Sequence, residues 1–373
     1  MSTRDRHSLL ETEVGVVARV ERERPGAQEL TVRLVGGEAR AINYTQLLGA
    51  VEPEERVLLN TTAVRARLGT GGYHFVMKRA DEEGKRPEGT GRTVKLRYTP
   101  LQFRCQSVEE EGSPSREAIE ACEGLDGMPV IAAGLHSQVA PAAAAVKGLI
   151  PEARVAYIMT DAAALPLAFS QLVTALKEAG LIDATITVGQ AFGGDHEAVN
   201  VFSGLLAARA VVGADVTIVA QGPGNVGTET EWGFGAIAQG SDVNAVGVLG
   251  GTPVAVPRIS FADQRVRHRG VSRQFLVALG RVALVRALVS VPAMEPEKLE
   301  LVRRQLDDAG ITAEHDVLVA RGEVGLETLA ERGVEVKSMG RTVEEDREFF
   351  LAGGAAGAVA AERLTWTGNS ESG

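Results

Sequence analysis

From Pro129 onward the chain alternates short, unbroken apolar runs with longer helical stretches, and this rhythm limits the possible folds more than any other feature. The runs are Pro129–Ala133, Arg154–Met159, Ala184–Val188, Asp215–Ala220, Pro253–Ile259, Ala287–Val291, Asp316–Ala320 and Val334–Lys337. Most of them do not alternate apolar with polar residues, so both faces of those strands need cover, as in a parallel sheet between helices; Ala184–Val188 and Val334–Lys337 do alternate. Helical stretches such as Ser137–Ile150, Leu165–Ala179, Glu197–Val212, Pro296–Ala309 and Val343–Ala361 lie between them. About eight β/α units in roughly 240 residues match a three-layer, doubly wound, mostly parallel sheet or a (β/α)8 barrel. The layered α/β sheet is preferred. The helix Gly325–Glu331 is short for a barrel's outer ring, and Val271–Val289 also reads as one long helix in place of the sixth strand.

The chain before this rhythm is different. Val14–Val20, Leu30–Val35, Ala39–Tyr44, Arg56–Asn60, Tyr73–Arg79 and Val94–Tyr98 are short runs, most of them alternating, and turn residues such as Pro25-Gly26 and Gly36-Gly37 separate them. Short strands at this spacing predict a small β-barrel-like domain. The expected organisation is a barrel over residues 10–104, a linker over 105–117, an α/β domain over 118–364 and a disordered tail over 365–373. Residues 1–10 are also expected to be disordered, and Ala80–Arg92 to form a surface hairpin loop.

With 45% hydrophobic residues and 24% charged ones, the composition is that of an ordinary globular protein with a sizeable core. The net charge of -10 argues against a broad surface for nucleic acid or an anionic membrane. Cys105 and Cys122 form no metal-binding spacing, and two isolated thiols fit a reducing cytoplasm. The N-terminus lacks the apolar core of a signal peptide. Val271–Val289 is interrupted by Arg273, Arg281 and Arg286, so it reads as a core helix rather than a membrane span.

In either α/β architecture, ligands bind at the C-terminal ends of the parallel strands. The segments following the first five strands are rich in polar residues: Gly134–Gln138, Thr160-Asp161, Gly189–Glu197, Gln221–Ala236 and Ser260–Gly270. They supply six candidate acid/base residues, Asp161, Asp195, His196, Asp263, His268 and His136. Each also has a structural reading. Asp161 and Asp195 fit helix N-caps, and His136 fits a helix start with Ser137 as cap. If Asp195-His196-Glu197 opens a helix, His196 and Asn200 share one face of it. The glycine-rich stretch Gly222-Pro-Gly-Asn-Val-Gly227 has neither the dinucleotide spacing nor the Walker spacing, and no lysine follows it. It fits a turn that binds an anion through backbone N–H groups, or equally one that packs a helix closely on the sheet. Gly222, Gly224, Asn225 and Gly227, with Glu229 and Glu231 after them, are therefore candidate ligand contacts. Arg265, Arg267 and Arg269 concentrate guanidinium in one loop of an acidic chain, and such forks bind carboxylate or phosphate.

Leu59-Asn-Thr-Thr-Ala63, Gly69–Phe75, Lys95-Leu-Arg-Tyr-Thr-Pro-Leu-Gln102, Met159-Thr-Asp161, Gly189–Asp195, Gly222-Pro-Gly224, Arg258–Asp263 and Arg267-His-Arg-Gly-Val-Ser272 run through both halves in series. In this the chain resembles a family of uncharacterised conserved bacterial proteins. The resemblance implies a bacterial cytoplasmic setting and one functional unit, and it transfers no residue role. The expectation from the residues themselves is a hydrolase or transferase acting on a small anionic or phosphorylated metabolite. A divalent cation is a candidate cofactor, with Asp161, Asp195 and His196 as its candidate ligands. The alternative is a non-catalytic ligand-binding or assembly protein whose arginine loop docks a partner or a second subunit. A homo-oligomer is a further expectation, with the Ala/Gly-rich helix 351–361 as its packing surface.

Overall fold

The computed structural model describes residues 10–68, 70–82 and 91–370, with side chains through Leu364. Residues 1–9, Gly69, most of the loop expected over 80–92 and the last three residues of the expected tail lie outside the described residues. The helix Arg347–Ser370 runs through the earlier part of that tail, where disorder was expected. The chain divides into two compact units, Met1–Thr90 with Leu96–Phe103, and Gly91–Lys95 with Arg104–Gly373.

In the first unit, β1 (Thr12–Arg24), β2 (Ala27–Leu34), β3 (Gly37–Asn43), β4 (Arg56–Asn60) and β5 (His74–Arg79) close into a barrel in the order β1-β2-β3-β5-β4. Alternation of apolar and polar residues sends Val17, Leu30, Val32, Ala41, Val57, Leu59 and Val76 inward. Register shifts within β1 bend that long strand around the barrel. Gly15 keeps the interior narrow, since a Cβ there would lie 2.8 Å from Leu34 and 3.1 Å from Leu59. The sequence predicts a sixth strand over Val94–Tyr98. That segment instead contributes β6 (Thr93–Lys95), which pairs with β7 (Phe103–Cys105) in a separate ribbon.

The second unit is built on a parallel sheet. Its strands are β8 (Pro129–Ala133), β9 (Val155–Thr160), β10 (Ala184–Thr187), β11 (His196–Glu197), β12 (Val216–Gln221), β13 (Thr252–Val256), β16 (Leu288–Pro292) and β17 (Asp316–Ala320). A short antiparallel pair, β14 (Ile259–Ser260) with β15 (Gly270–Val271), closes the arginine-rich loop at its base. The sheet order is β11-β10-β9-β12-β8-β13-β16-β17, with every neighbouring pair parallel. It is an open sheet with two edges and does not close into the alternative (β/α)8 barrel.

Side chains alternate across β8. Ile131 and Ala133 join one core with the helices Val139–Leu149 and Arg347–Ser370. Val130 and Ala132 face the helices Val201–Ala207, Ala238–Val248 and Arg273–Val277 on the other side. The helix after β8 therefore covers one face, and the helix after its neighbour β12 covers the opposite one. A crevice opens where adjacent strands send their helices to opposite faces, at their C-terminal ends.

Several sequence expectations change here. Val334–Lys337 is not a strand. Val334 and Val336 are buried against the core, but the segment has no strand partner among the described residues. The eighth strand is β11, whose two residues the sequence assigned to a helix start. Val271–Val289 is not one helix, since it breaks into β15, a short helix and the first residues of β16. Residues 105–117 fall in the second unit rather than in a linker. Ser107 bridges Glu197, the Val108 N–H donates to the Glu197 carbonyl at 2.8 Å, and Val108 is buried. Helix 351–361 is buried inside the unit, so it is not a free packing surface. A Cβ on Gly353 would lie 2.5 Å from Pro141, and one on Gly357 2.7 Å from Ala145. Among the described residues, no helix is long and apolar enough to cross a membrane.

Candidate functional site

At the crevice between β8 and β12 lies a cleft of about 620 Å³, lined entirely by residues of the second unit. His136 follows β8, Ser170 and Gln171 lie beyond β9, Gln221 ends β12, and residues between Gly222 and Phe234 follow it. Arg258, Arg265, Arg267, His268, Arg273 and Gln274 follow β13, and Lys337 to Met339 complete the wall.

The Gln221–Ala236 stretch folds as a small lobe held by its own polar groups. Gln221 Nε2 donates to the Gly134 carbonyl at 2.9 Å and to Asn225 Oδ1 at 3.0 Å, and Asn225 Oδ1 also accepts the Ala236 N–H at 2.9 Å. Gly222 is required by close approach, because a Cβ would stand 2.5 Å from the Ala164 carbonyl. Gly224 adopts φ +98, which favours glycine. The glycines thus shape the wall by packing. Gln221 Oε1, buried in that wall, has no hydrogen-bond partner among the described residues.

Asp263 organises the arginine loop. It is buried behind the wall and accepts from Arg265 Nε at 2.9 Å and Nη2 at 2.7 Å, while Arg258 Nη2 lies 3.3 Å away. The Arg265 hydrogen bonds hold its carboxyl well below the usual carboxylate range. A carboxylate clamped this way is a counter-ion for the loop and cannot take a proton from a substrate near neutral pH. Arg341 joins the network by donating to Asp346 at 2.9 Å, and Asp346 in turn accepts from Ser260 at 2.8 Å. Arg267 pairs with Glu229 at 2.7 Å. Arg273 and Lys337 line the cleft with no ion pair among the described residues.

Two histidines reach the cleft, each paired with a serine. His136 Nε2 lies 2.6 Å from Ser170 Oγ, and its Nδ1 lies 3.1 Å from the hydroxyl of Tyr157. Burial pushes the His136 imidazole down to about 4. His268 Nδ1 lies 2.7 Å from Ser272 Oγ, and Arg267 Nε donates to its Nε2 at 3.3 Å. Burial, then the charges of Arg258 and Arg265, push His268 down to about 4 as well. Ser272 is fully buried and caps the helix Arg273–Val277, whereas Ser170 lines the cleft.

Of the sequence candidates, His136, His268, Gly222, Gly224, Asn225, Gly227, Glu229, Glu231, Arg265 and Arg267 meet at this cleft. Asp161, Asp195, His196, Asp263 and Arg269 do not line it. Asp161 is exposed and accepts the Gln190 N–H at 2.8 Å. Asp195 opens no helix. It pairs with Lys177 at 2.6 Å and caps Thr185 at 2.8 Å, early in β10. His196 sits in edge strand β11, and the next helix starts only at Val201, capped by Asn200. His196 and Asn200 therefore do not share a helix face. Arg269 is exposed on the far side of its loop, where its carbonyl accepts from Gln305. Among the described residues no group of three His, Cys, Asp or Glu side chains is placed to hold a metal ion, so Asp161, Asp195 and His196 form no such set.

The sequence reading missed Ser170, Tyr157 and Lys337. A signal existed for Ser170: Pro166 breaks the expected helix, and a serine directly precedes the amphipathic run Gln171–Glu178, an N-cap pattern. No curated protein and no solved structure matches the chain. The family described as a protein of unknown function, DUF3866, matches residues 40–357, and the chain belongs to that family.

Proposed function

We propose that the cleft binds a small anionic or phosphorylated metabolite, and that the protein is a hydrolase or transferase acting on it at the C-terminal ends of the parallel strands. One observation carries this reading. Five cationic side chains, Arg258, Arg265, Arg267, Arg273 and Lys337, line a cleft that, among the described residues, only two carboxylates share, in a chain of net charge -10. Asp263 behind the wall raises the carboxylates to three and still leaves the cations in excess. Guanidinium forks suit carboxylate and phosphate oxygens, and a partly enclosed wall strengthens their attraction. A thermal-shift titration with orthophosphate, sulfate and phosphorylated metabolites tests the reading. A ligand at about 100 times its dissociation constant stabilises by about 2.7 kcal/mol. Arg265→Gln with Lys337→Gln is expected to abolish the shift, and a flat response of the unaltered protein to every anion refutes the site.

A second reading has its own observation. Val226, Trp232, Val266 and Met339, on the same loops, are 64%, 49%, 89% and 59% exposed. Apolar side chains interleaved with arginine suit a protein interface, and a partner or second copy docked there makes the protein an assembly component. Light scattering of the unaltered protein and of Val266→Ser distinguishes this reading. A monomer at all concentrations removes the second-copy form of it.

A further inference from the structure

We propose that Ser170 is the nucleophile of this cleft and His136 its general base, cleaving a small ester that carries an anionic group. The proposal rests on the anion-site reading and names its chemistry. Ser170 Oγ and His136 Nε2, 2.6 Å apart, both belong to residues of the cleft wall.

The surrounding hydrogen bonds select the productive proton arrangement. The fully buried Tyr157 hydroxyl lies 3.4 Å from the carbonyls of Ala220 and Gln221 and 3.1 Å from His136 Nδ1. Carbonyls only accept, so they give the tyrosine proton a place to go, and in the proposed arrangement the tyrosine oxygen accepts Nδ1–H. That tautomer leaves the Nε2 lone pair for the serine proton. Ser170 Oγ already accepts the Val173 N–H at 3.1 Å, so its own proton is the one left to give. The other serine–histidine pair is arranged the opposite way. Arg267 donates to His268 Nε2, so Nδ1–H of His268 points at Ser272 and cannot receive its proton. Ser272 is also fully buried and outside the cleft wall.

Ser170 caps the helix Gln171–Glu178, and Gln171 and Leu172 of its first turn line the cleft. The positive end of that helix therefore lies at the cleft wall beside Ser170, where it favours negative charge that develops there. In the reaction, Ser170 Oγ bonds to the ester carbonyl carbon while its proton passes to His136 Nε2. The carbon–oxygen bond to the leaving alcohol then breaks, and His136 returns the proton to that oxygen. Water, deprotonated by His136, next attacks the acyl-serine, releasing a carboxylic acid and restoring the Ser170 hydroxyl. The net change is ester plus water to acid plus alcohol. Arginine side chains of the facing wall hold the anionic group.

An uncharged fluorophosphonate tests the nucleophile apart from the anion site, with intact-protein mass and peptide mapping as readouts on the full chain. The expected result is one adduct per chain on the peptide containing Ser170. Ser170→Ala is expected to give none, while its thermal shift with orthophosphate persists and shows that it is folded. His136→Gln is expected to label at least about 100-fold more slowly, the lower end of general-base assistance. Tyr157→Phe tests positioning. In protein labelled with ¹⁵N-histidine, the His136 signal is expected to move from the Nδ1–H toward the Nε2–H tautomer. No adduct on the unaltered protein, with the phosphate shift intact, overturns the nucleophile and leaves the anion site standing. An adduct without any phosphate shift supports Ser170 and overturns the anionic substrate class. Labelling at another serine, or an unchanged rate in His136→Gln, overturns the assignment.

Discussion

Lys95→Met probes the buried network that ties edge strand β11 to the sheet. The Lys95 side chain is fully buried, and its ammonium has three acceptors: the Ala191 carbonyl at 2.6 Å, the Thr187 carbonyl at 3.3 Å and Glu197 Oε2 at 2.9 Å. Removing one partner of a buried pair costs about 3–5 kcal/mol, because the other charge stays desolvated. Glu197 keeps two donors, Thr187 Oγ1 and the Gly193 N–H, each at 2.7 Å. Those bonds soften its exposure and place the loss near the lower end, about 3 kcal/mol. Glu197→Gln on its own leaves the buried ammonium without its counter-charge and is also costly. The double variant Lys95→Met with Glu197→Gln buries no unpaired charge. It is therefore expected to fall short of the summed single losses by about 1–3 kcal/mol. Urea unfolding gives the three values, and hydrogen exchange places the damage. The Ala198 N–H, bonded to the Thr187 carbonyl at 3.0 Å, and the Val108 N–H, bonded to the Glu197 carbonyl at 2.8 Å, should exchange faster than amides of β8. A single-variant loss below about 1 kcal/mol, or strict additivity in the cycle, refutes the reasoning.

Gly222→Ala places a Cβ 2.5 Å from the Ala164 carbonyl and 3.2 Å from Met159 Sδ. Such overpacking costs about 1–3 kcal/mol, and an unchanged melting temperature would show that the lobe yields freely. His136 and His268 both sit at about 4 when folded, below the ordinary histidine value. Between about pH 6.5 and pH 4 the unfolded chain binds protons that the folded one refuses, so stability falls as pH drops through that window and levels off below it. Each histidine contributes on the order of 1–3 kcal/mol to the fall, and urea midpoints of His136→Gln across the window should lack one share of the slope. Asp242 is the reverse case: burial, then the charge of Asp161, push its carboxyl up to about 7. Its folded form keeps a proton the unfolded chain has lost, so this contribution is present below about pH 4 and disappears as pH rises through about 7. Asp242→Asn is expected to exceed the unaltered protein in stability at pH 8 by at least about 1 kcal/mol and to match it near pH 4. A loss at both pH values contradicts that account.

The sheet was legible because strands buried on both faces must be continuous apolar runs, and β8, β9 and β12 read that way directly. The arginine loop was legible because its charge is concentrated along the chain itself. Two kinds of feature were not. β11 has only two residues, and Asp195-His196-Glu197 carries the local signature of a helix start, so tertiary pairing with β10 overrode local chemistry. Ser170 and His136 are 34 residues apart and meet only because the chain segments after β8 and β9 reach the same wall. Val334 and Val336 alternate as a strand would, and both are buried, but the segment has no strand partner among the described residues. Alternation reports burial of one face and says nothing about whether a partner is available.

The position of the cleft follows from topology more than from any motif. β8 and β12 are neighbours, yet their helices leave to opposite faces, so a crevice opens at their C-terminal ends. Whatever loops border that gap become its walls. The glycines of Gly222–Gly227 let one wall approach the Ala164 segment closely, and they bring no charge of their own. The cations come from the loop after β13 and from Lys337, and Asp263 keeps three of the guanidiniums, Arg258, Arg265 and Arg341, from repelling one another. Asp263 therefore sets the potential of the cleft while standing outside it. Neutralising it trades fold stability for a more positive wall, and an anion that binds there supplies the missing counter-charge. Asp263→Asn should accordingly lose stability in water and regain part of it in phosphate. A merely solvated loop would show the same loss in both.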